Sequence, residues 1–196
     1  MDTTKLWKRF LKYGDESSYS AIYNSHIDKL YSYGLHLGFH SEECKDAIQD
    51  VFYKLYLSSE SLSGVNNITA YLFRSLKNRL IDISRKDSKM QSIELINQSF
   101  SIDVTILDDI IDAENAALLK SKVEELLNSL TSQQREAVYL RYMHELDYNE
   151  ISELLNINPD SARKLMFRAM KKLREQTANH YSKAQIMFII SLITSI

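Results

Sequence analysis

The sequence predicts an all-α protein of two helical domains joined by a flexible acidic linker. Three observations carry this. Apolar residues recur at helical spacing along most of the 196 residues, and no strand-period run of any length interrupts them. Gly and Pro are scarce, at four and one, which argues against a sheet-rich fold with many tight turns. Charge is unevenly spread: residues 1–90 carry 13 basic and 11 acidic side chains, residues 91–113 five acidic and none basic, and residues 114–180 ten of each. The net charge of −2 therefore hides local fields, and local fields are what a partner meets.

In the first domain, "ECKDAIQDVFYKLYLS" sets Ala47, Ile48, Val51, Phe52 and Leu55 on one side of a helix. "NITAYLFRSLKNRLIDISRK" does the same with Leu72, Phe73, Leu76, Leu80 and Ile83. Opposite them stand Tyr71, Arg74, Asn78 and Arg85, a mixture of rings, cations and an amide that suits single-stranded DNA. Asp46, Gln49 and Asp50, at i, i+3 and i+4, share one polar patch. Residues 91–113 are rich in Ser, Ile and Asp without a firm period and read as the linker.

The second domain is punctuated by three helix starts. Thr131 and Gln134 have capping-box spacing, as do Asp147 and Glu150. Asn158 then offers an N-cap before Pro159, whose missing N–H costs nothing at the first helical position. Helices are expected near 132–144, 148–155 and 159–175. The last two are separated by "NIN", the spacing of a helix-turn-helix.

The third of these helices divides sharply by angle. At 100° per residue, Ala162, Leu165, Met166, Ala169 and Leu173 fall within about 60° of one direction, with Met170 at the edge. Lys164, Phe167 and Lys171 lie near the opposite pole, flanked by Asp160, Ser161, Arg163 and Arg168. A run of basic residues is often only a solvated face. Here the run follows a capped turn and includes an outward Phe, which points to duplex DNA: Arg and Lys for phosphates and guanine edges, the ring for a thymine methyl or sugar. In such a motif the second helix enters the major groove.

The stretches "KDAIQDVFYKLY", "AYLFRSLKNRLIDISRK" and "LNSLTSQQREAVYLRYMHELDYNEISELLNINPDSARKLMFRAMKKLRE" resemble, in order, regions 2.2, 2.3–2.4 and 4 of sigma-70-type RNA polymerase sigma factors. The layout, two regions and a short linker, is that of the extracytoplasmic-function (ECF) group. The resemblance implies a sigma factor that binds core RNA polymerase, recognises the −35 element with its helix-turn-helix and opens −10 DNA with its first domain, without catalysis or cofactor of its own. It implies docking on the beta-prime clamp helices through Asp46, Gln49, Asp50 and Phe52, with contacts to the beta subunit elsewhere. It implies −10 contacts from Tyr71, Arg74, Asn78 and Arg85, and a loop, "SSESLSGVNN", that traps a flipped-out base beside Leu62. For the −35 element the matching positions are Arg141, Asp160, Ser161, Arg163, Lys164, Phe167 and Arg168. It implies promoter DNA and an anti-sigma factor as partners, no small-molecule substrate, and a cytoplasmic protein that such a factor can hold at the membrane.

Two further readings stay open on sequence. One is a helix-turn-helix regulator acting without polymerase. The other is an enzyme or metal-binding protein using His36, His40 and Cys44, although this is not the Cys/His pairing of a zinc motif. A lone cysteine suits a reducing compartment. The N-terminal residues have no apolar run and do not read as a signal peptide. Residues 181–196 form an apolar tail whose longest uncharged stretch, "AQIMFIISLITSI", is short of the about 20 residues a membrane span needs. The expected organisation is thus 1–90, 91–113, 114–180 and 181–196.

Overall fold

The computed structural model describes residues 3–86, 100–102 and 113–177. Every regular element among them is helical, and the chain divides into two compact units, Met1–Ile96 and Asn97–Ile196. The expected tail, and most of the expected linker, lie outside the described residues.

The first unit is a bundle of α1 (Thr3–Tyr13), α2 (Glu16–His36), α3 (Ser41–Leu57) and α4 (Ile68–Lys86), with a short 3-10 turn at Ser59–Leu62 before α4. Helix α1 places Trp7 and Phe10 one turn apart and buries both. It ends at Gly14, whose φ of 62° is a left-handed stop that Gly adopts without strain. Asp15 caps α2 by accepting from the Ser18 amide at 2.9 Å. The hydroxyl of Ser18, then that of Ser17, hold its carboxyl below the ordinary range.

Helix α2 buries Ile22, His26, Leu30, Tyr33 and Gly34. Gly34 is there for space: a Cβ on it would stand 2.6 Å from the Cys44 sulfur, so its absence lets α2 and α3 approach closely. Burial pushes the Cys44 thiol up to about 11 and keeps it a neutral packing group between the helices. His36 is the last residue of α2, and His40 precedes α3 with its N–H donating to the Glu43 carboxylate at 2.7 Å. The three residues weighed as a metal row therefore sit on separate elements. Among the described residues no three His, Cys, Asp or Glu side chains gather as a cation site.

The expected core positions of α3 are all buried, as are Leu72, Phe73, Leu76 and Leu80 of α4. Ile83 is the exception. It is half-buried, and near the end of α4 burial passes to Ile81 and Ser84. Each buried Leu or Phe contributes about 1.5–3 kcal/mol. Polar ties add register. The Tyr19 hydroxyl donates to the Phe52 carbonyl at 3.0 Å, and His26 joins α2 to α4. Its Nδ1 faces the Ile22 carbonyl at 2.8 Å, so Nδ1 carries the proton and Nε2 accepts from the Thr69 hydroxyl at 3.0 Å.

The second unit contains α5 (Ala113–Ser129), α6 (Ser132–Met143), α7 (Tyr148–Leu155) and α8 (Pro159–Thr177). All three expected helix starts form. Thr131 and Gln134 exchange their bonds at 3.3 and 3.0 Å. Asp147 caps the amides of Asn149 and Glu150, and its own N–H donates to Glu150 at 2.7 Å. Asn158 Oδ1 accepts from Ser161 at 2.8 Å. Helix α7 stops on Asn156 at φ 53°, the left-handed closure that Asn tolerates better than most residues.

One segment of the expected linker belongs to this unit. Phe100 is fully buried, with its ring 5.4 Å from that of Tyr139. Its N–H donates to the Ser132 hydroxyl at 2.9 Å, and its carbonyl accepts from Arg135 Nε at 3.0 Å. The sequence offers no helical period around Phe100, so only the pocket formed by α6 reveals why it is held.

Two outcomes follow from these contacts. Burial depresses the His26 pKa below 6.5. The unfolded chain therefore binds the proton first, and stability is full above pH 6.5 and falls as pH drops through the folded value. Denaturation midpoints measured at about pH 7.5 and about pH 5.5 should differ less in His26→Gln than in the parent. Phe100→Ala should cost the second unit about 3–5 kcal/mol, read as a lower thermal midpoint for that unit with the first unit's transition unmoved.

Candidate nucleic-acid interface

The expected apolar stripe of α8 is the buried one: Ala162, Leu165, Met166, Ala169 and Leu173 are all at most 8% exposed. They pack against α6 and α7, which turns the opposite side of α8 outward. Ser161, Lys164, Phe167 and Arg168 line an open hollow of ≈ 310 Å³ on that side. Phe167 is 65% exposed between two cations. A large apolar ring left in water on a basic face has no packing role within the fold.

The neighbouring charges are arranged within the domain. Arg163 pairs with Asp160 at 2.8 Å. Both are exposed, so the pair adds little stability, but it offsets the acidic charge of Asp160 at the start of the face. The Arg141 guanidinium donates to the Leu146 carbonyl at 2.8 Å and lies over the Tyr148 ring at 5.2 Å. Arg163 approaches the same ring at 5.9 Å. Tyr148 therefore orients both arginines, a role its sequence position did not suggest. The ammonium of Lys172 donates to the Ser129 carbonyl at the end of α5, a cation satisfying a helix C-terminus. Lys171 pairs with Glu175 at 3.7 Å.

In the first unit Asp46 and Gln49 are exposed on α3, while Asp50 is tied to α4. Asp50 accepts from Arg79 Nε at 2.7 Å. Phe52 is not on this surface. It is 2% exposed, packed at 4.8 Å against Tyr23 and edge-on to Tyr19, so it supports the α3 face from beneath. On α4, Tyr71 and Arg74 are half-buried, and Asn78 and Arg85 are exposed. A cleft of ≈ 170 Å³ between the helices is lined by Asp50, Lys54, Tyr71, Ser75, Asn78 and Arg79. Asp50 of the α3 patch and Tyr71 and Asn78 of the α4 face, separate in sequence, thus border one cleft. Lys54 and Arg79 join the site here. Nothing at a separation of 29 residues marked Arg79 as the partner of Asp50. Leu62, half-buried, closes the 3-10 turn that precedes α4.

A helix-turn-helix with an outward basic and aromatic face, in one chain with a second helical unit that carries a polar cleft of its own, defines a DNA-recognition protein. The sigma-70 region 2 family model matches residues 22–90 and the sigma-70 region 4 model matches residues 120–173. Over 162 residues the chain is 26% identical to the ECF RNA polymerase sigma factor SigM of Bacillus subtilis (strain 168), covering 78% of this chain and 91% of that one. Over 172 residues it is 24% identical to the ECF RNA polymerase sigma factor SigW of the same strain, covering 85% and 92%. The sigma factor RpoE from Bartonella quintana, solved in complex with the anti-sigma factor NepR, shares the fold with a TM-score of 0.54 at 20% identity, over 83% of this chain and 98% of that one. The chain belongs to the sigma-70 family of RNA polymerase sigma factors, in its ECF group.

The two adjacent lysines of α8 should separate in experiment. Lys172→Ala should lower the thermal midpoint of the second unit, losing about 0.5–1 kcal/mol. Lys171→Ala should leave the midpoint in place and reduce the salt dependence of duplex binding by about one unit of slope.

Proposed function

We propose that the sigma activity is divided between the two faces described above. Helix α8 reads the −35 duplex through Ser161, Arg163, Lys164, Phe167 and Arg168, with Arg141 and Asp160 at its border. The α4 face, Tyr71, Arg74, Asn78 and Arg85, takes the melted −10 strand, and the Ser58–Asn67 loop holds a flipped base beside Leu62. Asp46, Gln49 and Asp50 dock on the beta-prime clamp helices of core polymerase. The observation that carries this reading is Phe167, exposed between Lys164 and Arg168 on the second helix of a helix-turn-helix. A solvated charged face has no use for it; a major-groove helix does.

The mechanism is recognition and not catalysis. Docking through α3 turns two DNA contacts into one bivalent event, because a polymerase-bound sigma presents both faces to the same promoter. Cations of α8 set position on phosphates while Arg163, Phe167 and Arg168 supply sequence information. On α4, rings and amides compensate the unstacked bases of the opened strand, which favours the melted state over the duplex. The chemistry of RNA synthesis belongs to the core enzyme.

An anti-sigma factor is the expected regulator, since the Bartonella quintana relative was solved bound to one. The workplace is the cytoplasm, with membrane association only through that regulator. Among the described residues no helix is long and apolar enough to cross a membrane.

Run-off transcription with purified core enzyme on a randomised promoter library should return enriched −35 and −10 elements. Asp46→Lys combined with Gln49→Ala should abolish association with core while helicity is retained. Asp50 is left intact because its loss would leave Arg79 without its carboxylate. Arg163→Ala and Arg168→Ala should each cost about 1–3 kcal/mol on promoters that carry the −35 element and little on those that lack it. Normal core binding by the double variant, or equal loss on every promoter, would overturn the assignment.

A further inference from the structure

Helix α1 lies outside both matched regions, since the region 2 match begins at residue 22. Its place in the fold is nevertheless specific. It packs on α2 and also touches α4 and the 3-10 turn that leads into the loop before α4. The two ends of that loop are held from within. At its start the Ser61 amide and hydroxyl both donate to the Ser58 carbonyl, at 3.0 and 2.8 Å. At its end Asn67 caps α4, accepting from the Ala70 amide at 3.2 Å.

The middle of the loop is held from α1. Trp7, 1% exposed, donates its indole N–H to the Val65 carbonyl at 2.9 Å, across 58 residues of sequence. Val65 in turn donates its own N–H to the Leu62 carbonyl at 2.9 Å. The chain of bonds therefore runs from Trp7 through Val65 to Leu62. At its other end the Trp7 ring packs against Phe10 at 5.9 Å, and Phe10 packs on Tyr19 of α2 and Tyr56 of α3. A core aromatic needs only its ring to fill space. An indole N–H aimed at a loop carbonyl fixes the position of that carbonyl, because removing the donor strands a half-buried acceptor.

The geometry points to Trp7 as a positioning residue for the promoter-reading loop: through Val65 it sets where Leu62 stands, and so which base the loop accepts from the melted non-template strand. This rests on the assignment of the loop to −10 capture. Trp7 touches no DNA itself. Its effect is on selectivity, since a loop free to shift accommodates the wrong base as well as the right one.

The test uses full-length protein reconstituted with core enzyme and four single-stranded −10 oligonucleotides that differ only at the captured base, their sequence taken from the run-off library. Trp7→Phe keeps an aromatic ring and loses the N–H. It should narrow the ratio of best to worst base by about fivefold, the worth of one hydrogen bond, with core association and −35 duplex binding unchanged. A purely structural role would weaken all four oligonucleotides alike and leave the ratio intact, and that outcome overturns the proposal. Leu62→Ala separates the two levels of inference. If it collapses the ratio while Trp7→Phe does not, the loop reading stands and the brace falls. If neither variant moves the ratio, the loop reading falls and the brace with it. Trp7 is the single tryptophan of the chain, which provides a second measurement with the indole N–H retained. With 5-hydroxytryptophan at this position, excited beyond the absorption of the core enzyme's tryptophans, emission should change on adding the best oligonucleotide and not its abasic counterpart at the captured position. Identical emission with both also overturns the proposal.

Discussion

The burial of five small and medium apolar side chains on α8 decides what the second unit shows to solvent. Ala162 and Ala169 are almost wholly enclosed, and Leu165, Met166 and Leu173 flank them. Once these lie on α6 and α7, no freedom remains in the rotation of α8 about its axis. Lys164, Phe167 and Arg168 must then project outward, because 3.6 residues per turn places them there. The alanines matter as much as the larger residues, since close helix approach needs side chains that occupy little space. The caps complete the arrangement. Asp147 starts α7, Asn156 ends it in the left-handed region, and Asn158 starts α8, which fixes the turn between them.

The first unit works by a related division with a different consequence. Its helices bury one apolar side each, and Gly34 against Cys44 lets α2 and α3 approach closely. The polar remainders of α3 and α4 meet across the Asp50–Arg79 pair. This pair is part-buried, so its geometry counts for more than its net energy, the Coulomb gain being offset by desolvation. It holds the face of α3 in register with that of α4. In the proposed function α3 meets polymerase and α4 meets a DNA strand, and the pair would join those two surfaces mechanically.

The segment at Phe100 changes the picture of the connection between units. An acidic stretch without periodicity reads as a tether, and a tether has no fixed point. The structure gives it one: Phe100 is enclosed beside Tyr139, with both backbone polar groups satisfied by α6. Burial of the Tyr139 phenol raises its pKa far above the ordinary range, another sign of how closed this corner is.

Local signals were legible in the sequence wherever a contact joins residues within a few positions. The three helix starts of the second unit, the stripe of α8 and the core positions of α3 all depend on neighbours one turn away, and spacing reports such neighbours directly. Ile83 shows the limit even there, since helical spacing groups it with the core while its place in the last turn of α4 leaves it half-buried. The tertiary structure alone decided what depends on distant partners. It made Phe52 a support beneath α3, gave Asp50 to Arg79, put Tyr148 under Arg141 and Arg163, and engaged Lys172 at the end of α5. It also aimed Trp7 at a loop 58 residues away. The physical reason is that helical periodicity records which face of an element is apolar. Which polar group meets which is set only when those faces are packed together.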